Sequence, residues 1–569
     1  MTSSDLQRLE EAADSAFASH QLPHPNGHIS TWYLITASED SQRLLFLSLG
    51  DPSDQWRVEY YLDRFKYSLR SCLARVRCES KDWSAMSLPV KAIPMLYLRA
   101  QKLLLNGIDY SVVAQICSSA YTTSAQVIER DGVFEVELNK QLIDKRYGAL
   151  EIMCQSAGEV VISYSVLLWF WIQNPDRAPM VVWQIAESAR LSARRIRYEF
   201  DADLSLQLAQ SMPQSPYLIP SDWTFPWGGR QETTLLINAL SVRTLYHSVA
   251  VNFAARKFGL KGMAEADLCL CLTEDELIHD MRMNSSLDQE QIKAFVAYLT
   301  YGFEVTSPDQ ALQPLIPLGA KRFGIPVIGW LSSNIERNLL SLQARLESRV
   351  FDARSGMFER QMTDSLLPSL TKKWPLVVAN RTFALAGVKE EFDVLICEPE
   401  TATLLVLELR WMLPPADPRE VQNKKKACYE KTDQAARKAT IVSGNLPTLL
   451  RTAFDLRVTS NEAWMVQAIV VIRGFGGALS QRPSVPVIPD WVFEAGVVAS
   501  DSLRHLAEWS KSLAWLPVEG RDFHVQQCEA FFLTDKVVYP GLKPLRTGRD
   551  YLTDATSTLS RSASCAAAH

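Results

Sequence analysis

The clearest alternation of hydrophobic and polar positions in this chain lies between residues 389 and 440. In its first segment, Glu391 and Asp393 fall on one side of a predicted strand, because successive side chains of a strand point to opposite faces. Phe392 and Val394 fall on the other side, where they are expected to be buried. The alternation therefore predicts a strand with an acidic face and an apolar face.

The next apolar segment, Leu404 to Trp411, is hydrophobic on both faces until its end, where Glu408 and Arg410 share one face. A strand that is apolar on both faces is typical of the middle of a sheet covered by helices. Charged side chains at the end of such a strand are costly unless they are paired or bind a metal. The segment predicts a central strand that presents a charged group at its end.

Helical and extended patterns alternate around these two strands. Because helices and a sheet alternate along a layered α/β domain, the order predicts an αβββαβ core. The predicted elements are a helix at about Ser355–Leu367, a strand at Leu376–Phe383, the Asp393 and Glu408 strands, a helix from about Arg419 to Val442 and a strand at Ala463–Ile472.

A chain of 569 residues is expected to fold as roughly two to four domains. Residues 1–215 are predicted to be a mainly helical N-terminal domain, with short strands at Thr31–Thr36 and near Leu44–Leu49. The remaining predicted units are a second helical region ending in a hairpin (216–335), the α/β domain (336–540) and a disordered tail (541–569), which is small and polar.

The composition, 47% hydrophobic and 22% charged with a net charge of −5, is that of a globular protein. The acidic balance means that any contact with nucleic acid must use local basic patches. The most apolar stretch, Val160 to Ile172, is too short to span a bilayer, so no membrane association is expected. Ten cysteines without a CxxC pair indicate reduced thiols and a cytoplasmic protein.

The segment "EEFDVLI … LLVLELRW" resembles the PD-(D/E)XK, or restriction-endonuclease-like, nuclease superfamily. The superfamily signature is an acid on one strand and Glu/Asp-x-Lys at the end of the next, which correspond here to Asp393 and to Glu408-Leu409-Arg410. The resemblance implies a nuclease that uses Mg²⁺ or Mn²⁺, ions that prefer hard oxygen ligands. The implied metal ligands are Asp393, Glu408 and the backbone carbonyl of Leu409, with Glu391 at the edge of the site.

Arg410 stands where the superfamily has a lysine, and arginine stays protonated and cannot act as a base. The resemblance implies catalytic roles for Asp393, Glu408, Arg410, Gln434 and Lys438, the last two on the following helix. Lysines of that helix are candidates to replace the motif lysine, and the alternative is an inactive site. These candidates are Lys424, Lys425, Lys426, Lys431 and Lys438. Glu359, on the preceding predicted helix, is either a further metal-site glutamate or an exposed one.

Two groups of basic residues are candidates for binding the nucleic acid backbone. Arg190, Arg194 and Arg197 share one face of a predicted helix, although a solvated face paired with Glu187 and Glu199 is the favoured explanation, because charge runs are usually solvated faces. Lys424 and Lys425 lie on the helix after the Glu408 strand.

Two functions are compatible with the resemblance. The first is a metal-dependent endonuclease, with DNA favoured as substrate, in defence, restriction or repair. The second is a catalytically silent relative that binds nucleic acid or a partner protein. A protein partner or a homodimer is compatible with either, and the N-terminal helical region carrying the main function is a third hypothesis.

Overall fold

The computed structural model describes residues 4–48, 55–89, 91–122, 125–138, 142–157, 164–193, 195–213, 218–385, 387–415, 418–458, 463–479, 484–532, 535–546 and 548–566. The protein is mixed α/β, as predicted, with more helix than strand. The first part of the chain is mainly helical. Its elements are α1 (Ser4–Ser19), α2 (Gly27–Ser48), α3 (Gln55–Glu79), α4 (Pro94–Tyr121), β1 (Ala125–Arg130), β2 (Val133–Leu138), α5 (Leu142–Ala157), α6 (Tyr164–Gln173), α7 (Met180–Ser188), β3 (Arg190–Ser192), β4 (Arg195–Arg197) and α8 (Ala202–Gln210).

The middle of the chain is also helical and ends, as predicted, with a short antiparallel hairpin before the next helices. The central helix α9 is buried along most of its length. The elements are β5 (Thr224–Phe225), β6 (Gly228–Gly229), α9 (Arg230–Lys257), β7 (Leu270–Thr273), α10 (Glu274–Ser285), α11 (Gln289–Leu299), β8 (Ile316–Pro317), β9 (Arg322–Ile325), α12 (Val327–Leu331), α13 (Ile335–Leu346) and α14 (Ser348–Arg354).

The last part of the chain is built around a five-stranded sheet. Its elements are α15 (Gly356–Lys373), β10 (Leu376–Leu385), β11 (Val388–Glu398), β12 (Thr403–Trp411), α16 (Pro418–Gly444), α17 (Leu446–Phe454), β13 (Met465–Arg473), β14 (Val487–Pro489), α18 (Asp490–Ala499), α19 (Leu503–Ser512), β15 (Phe523–Phe532), β16 (Asp535–Pro544) and α20 (Gly548–Ala566).

The five strands lie in the order β10-β11-β12-β13-β14. The first three are antiparallel to one another, and β12, β13 and β14 are parallel. Helices α15, α18 and α19 pack on one face, and α16 and α17 pack on the other. Strand β12 is central and buried except at Arg410, so Glu408 is held between two helical layers.

A second sheet joins the β1–β2 hairpin of the first part of the chain to the β15–β16 hairpin of the last part. Its order is β1-β2-β16-β15, and β16 runs parallel to β2. Helix α5 also contributes Tyr147, Leu150 and Met153 to the core under α15 and α18. Segments predicted to form separate N-terminal and C-terminal domains therefore pack together through a shared sheet and a shared core.

The predicted disordered tail is wrong for the part of it that the structure describes. Strand β16 continues to Pro544, and α20 follows. Tyr551, Ala555 and Leu559 recur every four residues along α20 and are buried in the core beneath α18 and α19. Most of the residues between them are small and polar, so the average composition of the segment does not indicate this apolar stripe.

The predicted strand at Thr31–Thr36 is also wrong, because these residues lie inside helix α2. The second predicted strand, near Leu44–Leu49, falls in the same helix up to Ser48, and Leu49 lies outside the described residues. This part of α2 is rich in residues that favour strands, and they are buried on all sides of the helix. A short apolar run of this kind does not by itself distinguish a strand from a buried helix. Within the described ranges, no helix combines the length and apolar character needed to cross a membrane.

Glu39 connects helix α2 to the start of α12. Its buried carboxylate accepts hydrogen bonds from the backbone N–H groups of Ile328 at 2.7 Å and Gly329 at 3.2 Å. Burial raises the pKa of Glu39 to about 7, against the opposing effect of these hydrogen bonds. The folded state therefore holds a proton on Glu39 at pH values where the unfolded chain has lost it.

We expect the free energy of unfolding to decrease as the pH rises from about 4.5 to about 7, because the unfolded state releases this proton first. Glu39 should contribute on the order of 1–3 kcal/mol to the decrease. Thermal unfolding across this pH range, compared between the parent and Glu39→Gln, measures the contribution. The variant should show the shallower pH dependence, and equal slopes would contradict the assignment.

Candidate active site at the ends of strands β11 and β12

The alternation of side chains along β11 is interrupted at Asp393. Val394 packs on the α15 face of the sheet, whereas Leu395 and also Phe392 pack on the α16 and α17 face. Phe392 and Val394 therefore lie on opposite faces, contrary to the prediction that they share one. The partner position on β10 is Asn380, whose φ of 50° is left-handed. Backbone pairing between the two strands is interrupted at this position, so both strands change face there.

This interruption overturns the prediction that Glu391 borders the site. Phe392 and Asp393 both face α16, so Glu391 points to the opposite side and is exposed. Its neighbour Glu390 takes the inward position instead, where it is buried and forms an ion pair with Arg437 of α16. A prediction from strict alternation places Glu391 on the inward face, because alternation alone does not reveal the interruption at Asp393.

Asp393 and Glu408 come together at the point where β11 and β12 separate. The backbone ladder between these strands reaches Val394 and Leu407, and the next positions along it are Asp393 and Glu408. There the carboxylate of Asp393 accepts the backbone N–H of Leu409 at 2.7 Å. The predicted pairing of the two acids on adjacent strands is thus present in the structure.

The two carboxylates share the ammonium group of Lys431 on α16. The Lys431 Nζ lies 3.3 Å from Asp393 Oδ2 and 3.2 Å from Glu408 Oε2. Lys438, two turns further along the same helix, binds the other oxygen of Glu408 and stacks its ammonium over the Phe392 ring. The acidic pair is therefore bound on one side by two lysines of a single helix.

Lys438 is assigned a catalytic role by the resemblance, whereas Lys431 is only one of the five lysines that are candidates to replace the motif lysine. The sequence signal that could have selected it is its spacing. Lys431 and Lys438 are seven residues apart, so they share a helix face that can meet a sheet.

The charges in this cluster influence each other strongly. Burial raises the pKa of Glu408, the nearby Asp393 carboxylate raises it further, and the two lysines oppose the shift. Burial lowers the pKa of Lys431, but Asp393 and Glu408 outweigh it, and the pKa lies above its usual value. Lys431 is therefore a protonated hydrogen-bond donor. The side chain of Glu408 is fully buried, whereas that of Asp393 is 24% exposed and forms the accessible side of the site.

Arg410, at the motif position of the lysine, does not reach the carboxylates. Its guanidinium forms an ion pair with Glu359 of α15 at 3.0 Å. The neighbouring residues also join α15 to β12, since the rings of Phe358 and Trp411 stack with their centroids 3.7 Å apart. Glu359 is accordingly half-buried and paired with Arg410, so the expectation of a free exposed side chain is wrong, and its role as a metal-site glutamate stays a prediction.

Gln434 lies on α16 between Lys431 and Lys438 and is half-buried. Among the residues that the structure describes, it makes no hydrogen bond to Asp393 or Glu408. Gln434 lies on the helix after β12, as predicted, and its catalytic role stays a prediction.

The basic residues predicted to bind nucleic acid are placed differently from expectation. Lys425 forms an ion pair with Asp144 of α5 at 3.4 Å and is mostly buried. Lys424 is half-buried. Lys425 therefore connects α16 to α5, and the binding of nucleic acid by Lys424 and Lys425 stays a prediction.

The predicted arginine face of a helix is wrong. Helix α7 ends at Ser188, and Arg190 and Arg197 lie directly opposite each other on the antiparallel strands β3 and β4. Arg194 lies outside the described residues. The left-handed Ala193 (φ 49°) lies in the turn of this hairpin, which helical periodicity could not reveal. Both described arginines are exposed.

The donor set of the site suits a hard divalent cation. Within the described ranges, no group of three or more His, Cys, Asp or Glu side chains is placed to hold a metal. Magnesium, however, is commonly bound by one or two carboxylates together with water and substrate phosphates. Asp393 and Glu408 meet that requirement, with one carboxylate partly exposed.

Comparison with known proteins adds no assignment, since no family model, no curated protein and no solved structure matches this chain.

Proposed function

We propose that this protein is a metal-dependent phosphodiesterase that cleaves nucleic acid, with DNA as the favoured substrate. The observation that carries the proposal is the arrangement of Asp393 and Glu408, which come from adjacent strands and share the ammonium group of Lys431. The resemblance to the PD-(D/E)XK superfamily implies such an acid pair with a lysine beside it, and here that lysine comes from α16 instead of the end of β12.

The order of elements supports the same proposal. Helix α15 is followed by the antiparallel strands β10, β11 and β12, then by α16, and then by β13 parallel to β12. This is the αβββαβ succession that the superfamily core is expected to have. We therefore also propose a restriction-endonuclease-like fold for the domain that carries the site.

Asp393, Glu408 and the backbone carbonyl of Leu409 would hold a Mg²⁺ or Mn²⁺ ion, which supplies charge to polarise the phosphate and to activate water. Lys431 donates hydrogen bonds and a positive charge where negative charge develops on the phosphate. Its raised pKa keeps it protonated, so it acts electrostatically rather than as a base. Arg410, turned toward Glu359, is placed to bind rather than to transfer protons.

A catalytically silent nucleic-acid-binding protein is the second candidate, and one observation favours it. Glu408 has no exposed surface, and two lysines already offset the charges of the two carboxylates. A site balanced in this way is stable without a metal ion. Entry of a cation would then require Lys431 to move away from Glu408.

The experiment that separates the two candidates is a cleavage and binding survey with the purified protein. Labelled single-stranded and double-stranded DNA and RNA are each incubated with Mg²⁺, Mn²⁺ or EDTA. Cleavage that requires a divalent cation and stops in EDTA is the expected result. Tight binding without cleavage under every condition would contradict the enzymatic proposal and support the silent one.

A further inference from the structure

Both carboxylate oxygens of Glu408 are already bound by ammonium groups. Lys438 binds Oε1, and the Nζ of Lys431 lies 3.2 Å from Oε2. The Glu408 side chain has no exposed surface, so a cation cannot reach it from a side that the lysines leave open. Binding of a divalent cation at Glu408 therefore requires that one of the two lysines moves away.

The surroundings of the two lysines show which of them can move. Lys438 is 3% exposed, and its ammonium group lies 5.6 Å from the centre of the Phe392 ring. Lys431 is 13% exposed and also contacts Asp393 at 3.3 Å, whose side chain forms the accessible side of the site. The lysine side chain is a flexible four-carbon stem. Lys431 can therefore turn toward the open side, whereas Lys438 is enclosed.

We infer that the ammonium group of Lys431 competes with the divalent cation for Asp393 and Glu408 and is displaced when the cation binds. In both states the two carboxylates share a positive charge, so the buried Glu408 is never left uncompensated. Lys431 therefore keeps the site closed at low metal concentration. This exchange regulates the proposed active site, and its role rests on the proposed function.

The exchange also connects the position of Lys431 to its role in the proposed reaction. While Lys431 is paired with both carboxylates, its ammonium group donates to Asp393 and to Glu408. Once displaced, the group keeps its charge, and all of its N–H donors are free for a phosphate oxygen. The contact of Lys431 with the substrate phosphate therefore follows the binding of the cation.

The test measures Mn²⁺ binding in the absence of nucleic acid, from the electron paramagnetic resonance signal of free Mn²⁺. Lys431→Met removes the competing charge and keeps the length of the side chain. Lys426→Met is the matched control for the loss of a lysine from α16, because Lys426 is 79% exposed and lies 4.0 Å from Glu430 of the same helix. Asp393→Asn combined with Lys431→Met shows whether the Mn²⁺ ion binds at this site.

Lys431→Met should bind Mn²⁺ at least about tenfold more tightly than the parent, because charge-assisted hydrogen bonds no longer have to be broken. Lys426→Met should bind Mn²⁺ as the parent does, and the added Asp393→Asn substitution should abolish the gain. Equal affinities of Lys431→Met and the parent, an equal gain from Lys426→Met, or a gain that survives Asp393→Asn would each overturn the exchange. The absence of Mn²⁺ binding in every protein would overturn it as well.

A second measurement uses the parent protein and needs no substitution. Lysine side chains are labelled with acetic anhydride in saturating Mn²⁺ or in EDTA, and the extent of labelling at each lysine is read by peptide mass spectrometry. Labelling of Lys431 should increase in Mn²⁺, because its amine leaves both carboxylates for the open side of the site. Labelling of the exposed Lys426 should not change. Equal labelling of Lys431 in the two conditions would overturn the exchange.

The exchange and the proposed function fail in different ways. If Lys431→Met binds Mn²⁺ more tightly but the parent never cleaves nucleic acid, the exchange is retained and the enzymatic function is lost. If the parent cleaves nucleic acid but Lys431→Met leaves Mn²⁺ affinity unchanged, the enzymatic function is retained and the exchange is lost.

Discussion

Glu408→Ala is expected to lower the free energy of unfolding by about 3–5 kcal/mol, because removing one partner of a buried ion pair leaves uncompensated charge in the core. Here two ammonium groups would each lose a carboxylate partner. Lys438 is 3% exposed and binds Glu408, and Lys431 is 13% exposed and retains only Asp393. Chemical denaturation of the parent and the variant at neutral pH measures the difference.

A double variant provides the control for this prediction. Glu408→Leu combined with Lys438→Met replaces the buried pair by apolar side chains of similar size and should be much closer to the parent in stability. If Glu408→Ala unfolded like the parent, the ion pairs of the cluster would not be formed as the structure places them.

Lys431→Met is expected to reduce the rate of metal-dependent cleavage by about 100-fold to 1000-fold at saturating substrate. Its ammonium group contacts both carboxylates and is the donor placed to stabilise charge on a phosphate. An interaction made mainly in the transition state lowers kcat and leaves substrate affinity largely unchanged. Single-turnover cleavage with excess enzyme measures this rate directly.

Arg410→Met is the matched comparison, since Arg410 occupies the motif position of the lysine but turns to Glu359. Its loss should raise KM and leave kcat within about tenfold of the parent, as expected for a group that binds rather than reacts. The reverse pattern, in which Arg410→Met abolishes the rate and Lys431→Met does not, would return the catalytic role to Arg410.

The order of strands and helices around the site follows from the sequence because its signals are strong there. Strand β12 is a long apolar run with charges only at its end, and α16 carries helical periodicity over 27 residues. These patterns depend on burial of whole faces, which tertiary packing reinforces. The pairing of Asp393 with Glu408 follows from the same patterns.

Other features depend on details that periodicity does not record. The reversal of faces at Asp393 depends on the left-handed conformation of Asn380 on the neighbouring strand. Which lysine of α16 reaches both carboxylates depends on how that helix is rotated against the sheet. Arg410 turns away from them because Glu359 of α15 is its partner. The helix at Tyr551 depends on a groove formed by distant elements. Each of these is decided by contacts between segments far apart in the chain.

The most direct test of a nuclease site at Asp393 and Glu408 is the single-turnover cleavage rate of Asp393→Asn in Mn²⁺, measured beside the parent. Asparagine keeps an oxygen that can accept the N–H of Leu409, so the fold should be preserved while one negative charge is removed. We expect a rate at least about 100-fold below that of the parent, with DNA binding in EDTA retained. Equal rates for the two proteins would show that the cleavage does not arise at Asp393 and Glu408.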